Sequence, residues 1–309
     1  MRTISWRATA FLASMITLSG CRQLSESGQE VFDSPDAAAD ALARAVFSAD
    51  TNELLDIMGP DSRALILPAD QVQAARDRQV VKAAMSEKWW LEGDGDSART
   101  IVMGNEAWPF PIPIVRANGG WRFDIEAGRE ELVQRRVGAN EIAAMEVAVA
   151  FVEAEHEYAS RPRNGQPSGV YAQRIASQPG RQDGLYWAVS NTGSPMSPMG
   201  ELAAKAAADG YTRADTGRTA YHGYYFKVLT AQGPNAPGGA RSWVTGGLMR
   251  GGFALLAWPA DYGDSGIMTF LVGPDGVIRE KDLGSETPRV APAIDAFDPD
   301  STWSLSTNR

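Results

Sequence analysis

The sequence predicts an α+β protein in two parts, and three observations carry that reading. Apolar residues recur at helical spacing after Ser34, then give way to alternation that ends in Gly119-Gly120-Trp121-Arg122-Phe123-Asp124. A long amphipathic helix follows, from Ala139 to Ser160. The stretch from Tyr221 to Gly284 then reads as an antiparallel meander holding one glycine-rich loop. Helices first, then antiparallel sheet, is an α+β order.

Length and charge bound the rest. A chain of 309 residues can build two domains, each with its own core. Its 44% hydrophobic and 22% charged residues are ordinary for a globular protein. Removing residues 1–21 takes away Arg2 and Arg7 and no acid. The 29 basic residues then fall to 27 against 38 acidic, and the net charge moves from −9 to −11. An acidic chain without a basic stripe excludes nucleic acid as an expected partner.

The N-terminus predicts the compartment. Arg2 and Arg7 form a basic region, and Ala8 to Thr17 is an apolar run too short to span a bilayer, so it reads as a signal peptide. Leu18-Ser19-Gly20-Cys21 ends it and resembles the lipobox of bacterial lipoproteins, which implies export and lipid attachment at Cys21. Cys21 is the only cysteine, so no intramolecular disulfide is available. Arg22 stands where an inner-membrane retention signal usually shows Asp. By resemblance to that sorting rule, the protein faces the periplasm from the outer membrane. Residues 22–32 are polar and read as a tether.

The first domain is expected over residues 33–137. Ser34-Pro35 caps a helix carrying Leu42, Ala45, Val46 and Ala49, and Thr51 caps a second with Leu54, Leu55 and Met58, stopped by Gly59-Pro60. A third helical stretch follows Pro68, with Val72, Ala75, Val80, Ala84 and Met85 inward, and ends near Trp89-Trp90. Arg99 to Met103 is a short strand after the turn at 92–96. Ala107 to Arg116 alternates Trp108, Phe110, Ile112 and Ile114, but Pro109, Pro111 and Pro113 confine it to an edge or to partial pairing. Helices closing one face of a curved antiparallel sheet resemble the nuclear-transport-factor-2-like class, which implies a cone.

Gly138 is expected to break the helical charge-rich run 128–136 from the helix of the second domain, residues 138–309. In that helix Ile142, Met145, Val149 and Val152 form one apolar stripe, widened by Val147, Phe151, Ala154 and Tyr158, with Glu146, Glu153 and Glu157 opposite. Residues 171–176 read as a short helical piece, and Ser197-Pro198 starts a helix running to Ala208. From His222 come HGYYFKVLT, FALLAWP and IMTFLVGPDGVIREK, and one helix on such a meander resembles the globular half of a type IV pilin or pseudopilin. The chain departs from a pilin because a whole domain precedes the helix, so pilus polymerisation is not expected. WPFPIP, DGLYW, YHGYYFKVLTAQGPNAPGGA, GGFALLAWPADYG, SGIMTF and KDLG together resemble a family of exported bacterial proteins catalogued as domain of unknown function 2950. That resemblance covers nearly the whole mature chain and brings no catalytic residues.

The chemistry-bearing residues are sparse. His156 and His222 are the only histidines, and with one cysteine they predict no metal site. A serine paired with His222 and Asp261 or Asp264 lacks a GxSxG elbow. Asp94-Gly95-Asp96 and the late Asp261, Asp264, Asp275 and Asp282 invite calcium but read more simply as turns. No cofactor is expected. The loop 231–252 holds seven of the 31 glycines and no Walker lysine. It is either a structured turn or a recognition loop presenting Gln232, Asn235, Arg241 and Trp243. A small-ligand pocket lined by Trp89, Trp90, Trp108 and Trp121 is the second candidate site. The expected function is a membrane-anchored periplasmic lipoprotein serving as a non-enzymatic interaction or structural module with an envelope-protein or cell-wall partner. The alternatives are a small-ligand-binding protein and, behind it, a hydrolase acting on envelope polymers.

Overall fold

A computed structural model describes residues 23–24, 28–67, 71–93, 96–117, 119–188, 196–203 and 220–306. The signal peptide, Cys21, the Asp94-Gly95 turn and the far half of the helix expected to reach Ala208 lie outside the described residues. The chain divides into two compact units, Met1–Glu131 and Leu132–Arg309.

In the first unit, strands β1 (Gln23–Leu24) and β2 (Glu30–Val31) pair antiparallel. Helix α1 (Pro35–Ser48) starts as its sequence predicts: the Ser34 hydroxyl accepts the Ala37 N–H at 3.1 Å, and Pro35 takes the first turn. Helix α2 (Thr51–Met58) is capped by Asp50 rather than by Thr51. The Asp50 carboxylate accepts the N–H groups of Asn52 and Glu53 at 2.9 and 3.1 Å. An acid there satisfies two orphan donors and complements the helix dipole, which one hydroxyl cannot match. Gly59 ends α2, and α3 (Arg63–Ile66) and α4 (Gln71–Glu87) follow.

The sheet of this unit contains β3 (Trp89–Glu92), β4 (Ala98–Met103), β5 (Trp108–Pro109), β6 (Ile114–Ala117) and β7 (Gly120–Phe123), ordered β3-β4-β6-β7 with β5 also on β4. Two sequence expectations change. Trp89 and Trp90 open a strand instead of closing a helix, because they pair with Met103 and Val102. The single strand expected over residues 107–116 is two, since the prolines leave β5 only two residues long and paired to β4 alone. Leu42 and Ile57 from the helices meet Ile101, Met103, Ile114 and Phe123 from the sheet in one buried cluster. This unit is therefore helices on one antiparallel sheet.

Helix α5 (Ile125–Ala159) runs unbroken through Gly138, and the division between units falls inside it, at Glu131–Leu132. The helix break expected at Gly138 is thus corrected. Each glycine in this 35-residue helix, Gly128 and Gly138, costs about 1 kcal/mol against alanine, too little to stop it.

The second unit holds β8 (Tyr224–Leu229), then a loop with four two-residue strands, β9 (Ala231–Gln232), β10 (Arg241–Ser242), β11 (Val244–Thr245) and β12 (Leu248–Met249). Next come β13 (Ala254–Pro259), β14 (Met268–Val272), β15 (Ile278–Asp282) and β16 (Ser304–Leu305). The main sheet is ordered β16-β15-β14-β13-β8, antiparallel throughout. All six residues of β13 are buried, so both faces of the sheet are covered. On one face Ala144 and Met145 of α5 pack with Tyr224, Ala257 and Phe270. On the other, Lys227 donates to the carbonyls of Pro292 and Ile294, each at 2.9 Å, and Arg279 lies over Phe297 at 5.4 Å. The segment 284–305, with its short helix α6 (Thr287–Val290), supplies that second cover before its last residues join the sheet as β16.

Two further expectations are corrected here. Residues 171–176 are extended: Tyr171 bridges Met249 and Ala176 bridges Tyr186. On α5 the buried side is Ala144, Met145, Val147, Ala148, Phe151, Ala154 and Tyr158, while Ile142 and Val149 are 54% and 49% exposed. The apolar residues cover so much of the helix circumference that the sequence leaves its phase open, and the small alanines let the sheet approach closely on one side. Among the described residues no helix is long and apolar enough to cross a membrane.

Candidate functional site

The phase of α5 buries a residue that the stripe drawn from the sequence leaves out. Glu155 lies four residues after Phe151 and three before Tyr158, on the same face, and it is fully buried. Its Oε2 accepts the Ala172 N–H at 2.8 Å, while Oε1 has no hydrogen-bond partner among the described residues. Burial pushes the carboxyl up to about 8, against the smaller lowering effect of the Ala172 bond. At neutral pH Glu155 is therefore mostly a neutral acid. The signal was present in the sequence as a glutamate seven residues after Ala148, at a core position.

Beside it, Tyr158 donates its hydroxyl to the Gln182 carbonyl at 2.9 Å, and burial raises its pKa above the ordinary value. The Arg163 guanidinium stacks over Tyr158 and Trp187 at 5.4 and 5.2 Å and donates to Glu157 at 3.3 Å. On the neighbouring side of α5 a groove of about 480 Å³ is lined by Ala150, Ala154, Pro198, Met199 and Leu202, with Glu153, Glu157 and Glu201. Its floor is apolar and its charged lining is acidic.

The glycine-rich loop is organised inward. Trp243 is buried and donates its indole N–H to the Gln232 Oε1 at 3.0 Å. The Gln232 amide donates in turn to the Pro237 and Gly239 carbonyls, each at 2.7 Å. Asn235 gives both its backbone and its side-chain N–H to Asp298, at 2.7 and 3.0 Å. Of the four recognition candidates, Arg241 is exposed, Asn235 is exposed but tied to Asp298, and Gln232 and Trp243 hold the loop together.

The four tryptophans are placed in different surroundings. Trp89 lines an open groove with Phe47 and Glu53, whereas the Trp90 indole donates to Glu92 at 2.7 Å. Trp108 is 37% exposed, and Trp121 is buried with Arg99 over its ring at 6.0 Å. Only Trp89 of the four borders this groove. His156 packs edge-on against Phe253 at 5.3 Å, and His222 against Tyr221 at 4.4 Å. Ser265 donates to the Gly223 carbonyl at 2.8 Å and accepts the Asp261 N–H at 2.9 Å. Asp264 pairs with Arg136, Asp275 with Arg279, and Asp282 accepts the Gly284 N–H. These groups are engaged in turns, ring contacts and ion pairs at separate places. Among the described residues no three His, Cys, Asp or Glu side chains are grouped to hold a metal ion.

Two compact units built of helices and antiparallel sheet, with an acidic groove along α5, make this an α+β protein. The chain belongs to the family described as protein of unknown function DUF2950, whose profile matches residues 29–305. No curated protein and no solved structure matches it.

Proposed function

We propose that this protein is an exported lipoprotein, anchored through Cys21 to a membrane facing the periplasm, that works as a non-enzymatic interaction module of the cell envelope. The groove along α5 carries the reading: it combines an apolar floor with exposed carboxylates, the composition of a surface that receives a partner rather than of a packed core. The signal-like N-terminus and Leu18-Ser19-Gly20-Cys21 support the anchor. In this reading the first unit is a nuclear-transport-factor-2-like cone and the second a pilin-like domain without the polymerising helix. Segment 284–305 covers the sheet face opposite α5 in that second unit. The test is a photo-crosslinking residue at position 150 in intact cells. One discrete envelope partner should be captured, and capture of nothing, or of a broad smear, ends the proposal. Cys21→Ser should release the protein from the membrane fraction.

A ligand-binding role for the first unit is a second reading, favoured by the open groove where Phe47, 42% exposed, stands beside Trp89. Trp89→Phe should then remove any fluorescence response to apolar ligands, and an unchanged response would place the ligand elsewhere.

A further inference from the structure

We infer that the α5 groove receives a basic amphipathic helix of a partner protein; this rests on the interaction-module reading above and adds the chemistry of the partner. Three features of the groove point there. Its floor, Ala150 and Ala154 on α5 with Pro198, Met199 and Leu202 from the segment 196–203, offers small and flexible apolar side chains between two chain segments, the shape that a helical partner fills with residues three and four apart. The apolar surface does not end at the groove: Val149 adjoins it on α5 and Met196 precedes Pro198, and they are 49% and 66% exposed. Its charge has one sign. Glu153 and Glu201 are exposed and have no ion-pair partner among the described residues, while Glu157 already pairs with Arg161 and Arg163.

A second copy of this chain would bring glutamates against glutamates, so charge complementarity selects Lys and Arg on the occupant.

The chain from Arg22 onward keeps every residue of the three buried clusters and is the form to assay. The probe is a fluorescein-labelled 14-residue helix of leucine and lysine, read by fluorescence polarisation, with its leucine–glutamate counterpart as control. The lysine peptide should bind, and Glu153→Lys with Glu201→Lys should weaken it at least about tenfold. Glu106→Lys with Glu130→Lys, an equal charge change far along the sequence, should leave binding intact. Equal loss in both double variants, equal binding of the glutamate peptide, or no binding overturns the inference. If cross-linking at position 150 still captures one partner after such a result, the module stands and only the partner's chemistry falls; if neither binds, both fall.

Discussion

Glu155 holds the backbone N–H of Ala172 at 2.8 Å from a fully buried position in the middle of an apolar helix face. The bond fastens the strand-like segment after the loop at 161–169 to α5, beside the Tyr171 N–H bond to the Met249 carbonyl at 2.8 Å. A neutral acid makes that bond at low cost; a charged one is answered by no cation among the described residues.

Stability should therefore fall as pH rises. The folded carboxyl titrates at about 8 and the unfolded one at 4.5, so between those values the folded state binds the extra proton. Stability is complete below the unfolded value and is lost towards pH 8, at roughly 1 kcal/mol per pH unit. Glu155→Gln keeps the shape without the charge and should flatten the dependence between pH 5 and 8. Urea unfolding at several pH values checks it, and parallel slopes in the two proteins would refute the role of Glu155.

Gln232→Ala should destabilise the second unit by about 2 kcal/mol, because it leaves the buried Trp243 indole N–H without its acceptor and two part-buried carbonyls without their donor. The urea midpoint and Trp emission report it. A change under 0.5 kcal/mol would show, on the same principle, that water replaces the amide readily.

Gly251→Ala should be worse than Gly246→Ala. A Cβ at 251 would lie 2.8 Å from the Trp243 ring and 3.0 Å from its Cα, whereas at 246 nothing lies within 4 Å and only the positive φ of 59° resists. Overpacking typically costs about 1–3 kcal/mol. Thermal unfolding ranks the two variants, and the reverse order would disprove the packing account.

Lys227→Met should loosen the segment 284–305 by removing charge-assisted bonds to Pro292, Ile294 and Asp295, a loss of about 2 kcal/mol. Amide exchange at 291–297 should quicken more than exchange in α5. Uniform acceleration across both would mean that the cover and the sheet open as one unit.

The order of elements was legible because it rests on local rules. Ser34-Pro35 starts α1, the apolar run in FALLAWP forms β13, and the prolines at 109, 111 and 113 shorten β5, each a property of residues adjacent in the chain. Family membership was legible too, since the matched residues 29–305 are a linear pattern. Side-chain partners were not. Nothing local says that Gln232 spans 11 residues to hold Trp243, and the loop therefore kept a recognition surface as its second reading beside a structured turn.

By itself, then, the sequence determined an acidic α+β chain with two histidines and one cysteine, and most of its run of helices and strands. Tertiary structure alone decided which side of α5 faces the sheet, and so made Glu155 a buried acid while leaving Val149 exposed. The physical reason is that helix and strand periods are written along the chain, whereas burial depends on what packs across it from positions far away in sequence.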